Sequence, residues 1–369
     1  MAVTIIVFIL ILLALVLAHE WGHFYAARKA GVRVNEFGFG FPPRLFGFKK
    51  GETLYSINLL PLGGFVKLKG EQGEDREEPD SFVHQSASCR AVILVAGVLM
   101  NVILAWVLLT IGFSAGIPTV VDDETKPVAR DVKIQILQVL PDSPAAQAGI
   151  EPGDTIATIN GYDFISLQVM QDFIAGHKDN PLHFGIERGD QILEKDATPI
   201  LLPTSGERAV IGVALIQTGT VTYPWYEAIW EGAKATWWLI YGTVAGFVMI
   251  IGNLIQGQGA GVEVAGPVGI AVLTGQVVSL GWLFVLQFAA LLSVNLAIIN
   301  ILPFPALDGG RLLFVVIEKI RRKPNNDRVE AIVHTLGFAV LMLLVLVITY
   351  KDISRLGINL WQNVVSLFG

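Results

Sequence analysis

The chain is poor in charge and nearly free of cysteine. Asp, Glu, Lys and Arg make up 16% of its 369 residues, against roughly 25% in an ordinary soluble domain, which excludes a plain soluble enzyme. The sole cysteine, Cys89, excludes an internal disulfide and any metal site built from clustered thiolates. There is no basic arm and no interleaving of aromatic with basic residues, and the formal net charge is -6, so nucleic acid is not expected as a partner. The first apolar stretch lacks a Lys or Arg ahead of it and a small-x-small cleavage site behind it. Ala2 to Ala18 therefore reads as a retained helix rather than a removable leader.

What the chain has instead is apolar length, with 53% hydrophobic residues and a mean hydropathy of +0.59. Its uncharged runs exceed the roughly 18 residues that mark a membrane span. Spans are expected at 3–27, 91–113, 282–304 and 331–349, which predicts a polytopic α-helical membrane protein with about four transmembrane helices. Ten Lys and Arg fall between 28 and 90 and six between 305 and 330, including Arg321-Arg322-Lys323. The positive-inside rule puts both stretches in the cytoplasm, and both termini and 114–224 outside. A fifth apolar run at 236–255 would invert everything after it if it crossed, so 225–280 is expected as an interfacial or re-entrant helical region. In the tail at 351–369, Ile353, Leu356, Leu360, Val364 and Leu367 recur at helical spacing, as in an amphipathic interfacial helix.

Two segments read as β-rich. Residues 125–218 alternate short strands with helices, and Asp142-Ser143-Pro144-Ala145-Ala146-Gln147-Ala148-Gly149-Ile150-Glu151-Pro152-Gly153-Asp154, followed by Ile159-Asn160-Gly161, resembles the core of bacterial PDZ domains. Between Val34 and Gly70, the run Glu36-Phe37-Gly38-Phe39-Gly40-Phe41 alternates large apolar with small side chains. Two more strand-like runs flank Pro61-Leu62-Gly63-Gly64. Such a segment either dips into the bilayer shielded by protein or packs beneath it as a hairpin.

His19-Glu20-Trp21-Gly22-His23 places two imidazoles four residues apart on one helical face, where neutral ring nitrogens can bind one Zn²⁺ while Glu20 takes a proton from water. The five residues alone could also just mark the wet end of the helix, but ionisable groups within a span normally signal function. Catalytic zinc usually has three protein ligands. The best third is Asp308, presented where Pro303 and Pro305 break the third span, on the same side as the end of the first; alone, Asp308 would read as a turn or cap.

With His19-Glu20-x-x-His23 in the first span, Gly38-Phe39-Gly40 after it, the PDZ core, and Asn300-x-x-Pro-x-Pro-x-Leu-Asp308-Gly in order, the chain resembles the site-2 proteases of the bacterial RseP-like type. The resemblance covers almost the whole chain. It implies 1–113 as two transmembrane helices with the β-rich loop between them, 125–218 as one extracytoplasmic PDZ domain, and 281–350 as the remaining spans. It further implies zinc on His19, His23 and Asp308, Glu20 as general base, and Asn295 and Asn300 holding substrate, although interhelical hydrogen bonding would equally explain two asparagines on an apolar helix. Gly38, Gly40, Gly63 and Gly64 lie along the segment whose exposed strand edge is expected to receive the substrate.

The implied activity is that of an intramembrane zinc endopeptidase in the bacterial plasma (inner) membrane, active near the cytoplasmic side. It would cut single-span membrane proteins such as membrane-anchored anti-sigma factors after an upstream site-1 type protease has acted. The competing readings are a catalytically silent scaffold whose PDZ module captures tails, and a metal-binding transporter. Two departures from the family are visible. There is one PDZ core where some relatives carry two, and Ala96-Gly97-Val98-Leu99-Met100-Asn101 lacks the proline of the usual pattern, a change expected to leave the active site untouched.

Overall fold

The computed structural model describes residues 2–71, 73–121, 128–164, 166–189, 191–202, 208–257 and 265–368. Five of its helices are long and apolar enough to cross a membrane: α1 (Ala2–Lys29), α2 (Ala87–Ala115), α5 (Trp225–Ile255), α7 (Trp282–Ile301) and the Arg328–Ser354 stretch of α9 (Asp327–Phe368). At 1.5 Å per residue the shortest, with 20 residues, is about 30 Å long, the thickness of a hydrocarbon core. Their Val, Ile and Leu side chains are largely exposed, as lipid-facing side chains are. The protein is a polytopic α-helical membrane protein.

Five helices have the length and composition to cross where four spans were expected, and the additional one is α5. The run at 236–255 is the second half of a continuous 31-residue helix, α5. Its first half escaped the hydropathy reading because Glu227, Glu231 and Lys234 punctuate a stretch rich in Trp and Tyr. The tail expected as a separate interfacial helix continues α9 without a break, and its stripe from Leu356 onward lies outside the described side chains.

Two compact units divide the chain, one made of Met1–Gly112 with Ile229–Gly369, the other of Phe113–Ala228. In the first, β1 (Val34–Lys50) and β2 (Thr53–Leu68) form an antiparallel ribbon that folds back on itself. Phe37 stands opposite both Val66 and Tyr55, and the distal halves pair from Arg44 with Asn58 to Lys50 with Thr53. Phe37, Tyr55 and Val66 pack against Phe24 and Ala27 of α1, with Ile93 and Leu94 of α2 and Val315 of α8 (Asp308–Arg321) completing the cluster. The ribbon reaches back along α1 as far as Val16, because Gly64 is so close that a Cβ there would meet the Val16 side chain at 2.7 Å. At its far end Leu45, Phe46, Phe48, Ile57 and Leu59 are exposed, an apolar surface fitted to lipid.

The run Gly266-Pro267-Val268-Gly269, a break between helices, has a packing role. It opens α6 (Pro267–Leu280), whose Gly269 N–H donates to Asp352 Oδ2 at 2.8 Å. A carboxylate from α9 thus satisfies one of the orphan amides of α6.

The second unit is built on a seven-stranded sheet. Its order is β3 (Ile117–Val120), β11 (Val213–Val221), β4 (Ala129–Val139), β5 (Thr155–Ile159), β7 (Leu182–Arg188) and β8 (Gln191–Ala197), with β6 (Tyr162–Asp163) paired to β5. Alternate residues Ile134 and Ile136, Ile156, and Phe184 and Ile186 point inward on Met170 and Ile174 of α4 (Leu167–Gly176). The Asp142–Asp154 motif explains itself locally. Ser143 Oγ caps α3 (Pro144–Gln147) by accepting from Ala146 N–H. The buried Asp154 carboxylate accepts from Glu151 N–H at 2.9 Å and from Arg188 Nε at 2.7 Å. β3 extends this unit further toward the N-terminus than the expected 125–218, of which 125–127, 165, 190 and 203–207 lie outside the described residues.

Candidate active site

α1 carries His19, Glu20 and His23 near its C-terminal end, and both imidazoles are buried. α7 ends at Ile301, and Pro303 and Pro305 prevent it from continuing. The turn that follows delivers Asp308 as the first residue of α8. Its carboxylate leaves the amides of its own helix uncapped and turns to the histidines. Asp308 Oδ2 is 2.9 Å from His19 Nε2 and 3.3 Å from His23 Nε2, and the two Nε2 atoms are 3.2 Å apart.

These three edges decide whether a metal fits. A tetrahedral zinc with bonds of about 2.0 Å sets its ligand atoms about 3.3 Å apart, and the observed triangle matches one face of that tetrahedron. The chemistry of the donor set agrees, because two ring lone pairs and a carboxylate oxygen at such distances repel unless a cation or proton lies among them. Among the described residues this is the one group of three His, Cys, Asp or Glu side chains able to hold a metal. The ionised Asp308 carboxylate supplies the anionic ligand beside two neutral imidazoles.

Outer contacts fix which ring nitrogen faces the cluster. His23 Nδ1–H donates to the Ile93 carbonyl at 2.9 Å, which leaves the Nε2 lone pair free. His19 Nδ1 lies 3.3 Å from the side-chain amide of Asn101 on α2. With Nε2 turned to the cluster, Nδ1 carries the ring proton and requires an acceptor. The Asn101 oxygen is fully buried and otherwise without a partner, so turning the amide over satisfies both groups. Ser293 Oγ donates to the Asn101 backbone carbonyl at 2.8 Å and pins this part of α2 to α7. Gly97, one turn before Asn101, permits the approach, since a Cβ there would stand 2.3 Å from His23 Nε2.

In Ala96-Gly97-Val98-Leu99-Met100-Asn101 the sequence draws attention only to the missing proline, and it does not single out Gly97 and Asn101 as neighbours of the histidines. The available signal was a lone amide at helical spacing from a glycine inside an apolar span.

The other expected site residues divide. The Asn300 amide is 3.5 Å from His19 Nε2, within the site. Asn295 instead accepts a hydrogen bond from Thr243 Oγ1 of α5 at 3.1 Å. Gly64 lies beside Glu20, whose Cγ would be 3.1 Å from a Cβ added there, and the Glu20 carboxylate accepts from the Val66 backbone N–H. Gly38 faces the Phe65 ring across the ribbon, while Gly40 and Gly63 shape its bends with φ of 79° and 129°.

A helix bearing two histidines and a glutamate, completed by an aspartate far away in sequence and set among membrane-length helices, defines a membrane-embedded zinc metalloprotease. The chain matches the model of peptidase family M50 over residues 7–344 and belongs to that family. It is 33% identical to the zinc metalloprotease RasP of Geobacillus kaustophilus over 95% of this chain and 98% of that one. It is 35% identical to the RasP of Bacillus licheniformis, over 96% and 99% of the two chains. With the regulator of sigma-W protease RasP of Bacillus subtilis it shares 31% identity, again over 96% and 99%. A solved PDZ domain of the SdrC-like protein from Listeria monocytogenes aligns with 22% of this chain and 85% of its own length, at 28% identity and a TM-score of 0.21.

Proposed function

We propose that this zinc metalloprotease cuts single-span membrane proteins, membrane-anchored anti-sigma factors among them, within or next to their membrane-spanning segment. The observation that carries the reading is the strand at Gly63–Val66 running directly beside Glu20 and the metal cluster. A helix crossing the bilayer hides its carbonyls in its own hydrogen bonds, so the substrate has to be unwound before attack. The edge of β2 offers backbone groups to which an extended segment can pair, with Gly63 and Gly64 letting the chains approach. Gly38 and Gly40 set the bend of the strand behind it.

His19, His23 and Asp308 hold the zinc, which when bound polarises the scissile carbonyl and lowers the pKa of water. Glu20 accepts the proton of the attacking water and returns it to the leaving amine. Asn300 donates its amide N–H to the carbonyl oxygen of the bond being cut. Asn295 acts indirectly, by tying α7 to α5.

The same geometry supports one orientation. Contact between His19 and Asp308 sets the C-terminal ends of α1 and α7 on one side, so the chain between α2 and α7 returns to the side it left. α5 therefore makes no lone crossing, and α6, about 21 Å long by its 14 residues, is too short to restore the count by itself. With the basic stretches 28–90 and 305–330 cytoplasmic, the active site lies near the cytoplasmic face of a bacterial plasma membrane and the PDZ-like unit outside.

That unit acts as a size filter, admitting spans whose outer portion an upstream site-1 type protease has removed. Recruitment of a new C-terminus is the rival role, favoured by a groove of about 220 Å³ between α4 and residues 209–215, with Arg208 at its rim. Replacing 125–218 with a Gly/Ser linker separates the two, since a filter lost lets intact substrate be cut and a recruiter lost abolishes cutting of the clipped form. The activity itself is tested by incubating the purified protein with a panel of single-span substrates. Glu20→Gln should lose cleavage by roughly 10²- to 10⁴-fold, and equal cleavage by that variant would refute its role.

A further inference from the structure

Asp308 is held by a turn that does not hold itself. Between the end of α7 and the start of α8, the chain is bonded locally by Phe304 N–H to the Leu302 carbonyl at 2.7 Å and Leu307 N–H to the Phe304 carbonyl at 3.2 Å. Between them Ala306, a residue with a Cβ, sits at φ 77° in the left-handed region, a conformation that costs an L residue roughly 1 kcal/mol. Ala306 is two positions from Asp308, so relaxation of its backbone swings the carboxylate away from the histidines.

What restrains the turn comes from α9. The Ala306 N–H donates to His334 Nδ1 at 3.0 Å. One turn further along α9, Gly337 lies flat against Pro305, where a Cβ would meet the Pro305 carbonyl oxygen at 2.6 Å. His334 and Gly337, three residues apart, share one helical face, and that face presses on the turn. The His334 ring also lies against Phe314 of α8, tilted by 45° with ring centroids 5.5 Å apart, so the same imidazole touches the elements on both sides of Asp308. His334 is not itself a member of the His19, His23 and Asp308 cluster.

We infer that His334 is a positioning residue for the metal centre: its Nδ1 holds Ala306 in the left-handed conformation that presents Asp308 to His19 and His23. The inference rests on the zinc reading above. It requires an acceptor at the Nδ1 position and not merely a side chain of similar size. Asparagine places an oxygen near Nδ1, whereas glutamine places its polar atoms near Nε2 and phenylalanine fills the space with no acceptor.

The test measures zinc affinity of the full-length, detergent-purified protein by competition with a chelator, alongside thermal unfolding of each metal-free variant. His334→Phe and His334→Gln should bind zinc roughly tenfold more weakly, the lower end of what loss of an outer-shell partner costs, while His334→Asn stays near wild type. Cleavage rates should follow the same order. If asparagine is no better than glutamine, or if phenylalanine binds zinc as wild type does, His334 is only packing and the inference is wrong. Asp308→Ala is measured beside them. If it too leaves zinc binding unchanged, the metal assignment itself has failed, and with it the inference; if Asp308→Ala loses zinc while the His334 series is flat, the metal centre stands and the role of His334 is refuted.

Discussion

Replacing Asn101 with leucine keeps the volume of a side chain that is 0% exposed and removes the acceptor that His19 Nδ1 needs. Three consequences can be worked from the structure. The backbone carbonyl of residue 101 still accepts from Ser293 Oγ, so the α2–α7 contact survives. His19 keeps its place on α1, but with its Nδ1–H buried and unpaired, the tautomer that turns the Nε2 lone pair to the metal loses its support. Loss of such an outer partner typically weakens metal binding 10- to 100-fold, or about 1.4 to 2.7 kcal/mol. Asn101→Asp supplies a stronger acceptor and should bind zinc at least as well as wild type. Chelator competition on the purified proteins reads this directly. Equal zinc affinity in the Asn101→Leu variant would refute the argument, because then the amide does not orient His19.

Two further outcomes are expected. In the PDZ-like unit, the Asp154 carboxyl is pushed up by burial but held below its ordinary range by Arg188. A depressed pKa contributes stability that is present above about pH 3.9 and lost as pH falls through the folded value. Asp154→Asn should therefore unfold this unit about 1.5 kcal/mol more easily at neutral pH with a shallower acid dependence, as followed by thermal melts between pH 3 and 7; a wild-type-like melt at neutral pH would count against the pair. For topology, single cysteines in a Cys89→Ser background should be labelled by an impermeant thiol reagent from outside at Lys178 and Lys195 but not at Lys69 or Lys323. Labelling at 323 would mean that the cytoplasmic assignment is inverted after α5.

The sequence made the site legible where spacing carries the chemistry. The step of four from His19 to His23 is about one helical turn wherever the helix sits, and Pro303 and Pro305 announce that a span ends just before a carboxylate. The partners that orient these ligands are another matter. Asn101 and His334 meet His19 and Ala306 across 82 and 28 residues of chain, and even the lone amide of Asn101 at helical spacing from Gly97 does not by itself name the partner it meets.

The same limit applies to the fold. Alternation exposed the strands of the PDZ-like core, yet β3 joins it through long-range pairing with β11, from Ile117 opposite Val221 to Val120 opposite Thr218. The Gly266–Gly269 break makes sense only once Asp352 arrives from α9. α5 was foreshortened because charge and aromatic residues at its start mask a helix that is continuous in three dimensions.

The central claim is that His19, His23 and Asp308 together hold one catalytic zinc. It is tested most directly by metal analysis of the purified protein, with each variant checked for folding. The account predicts about one zinc per wild-type chain, wild-type content in Glu20→Gln, reduced content in Asp308→Asn and almost none in the double variant His19→Ala/His23→Ala. Zinc retained at wild-type level in that double variant would contradict it.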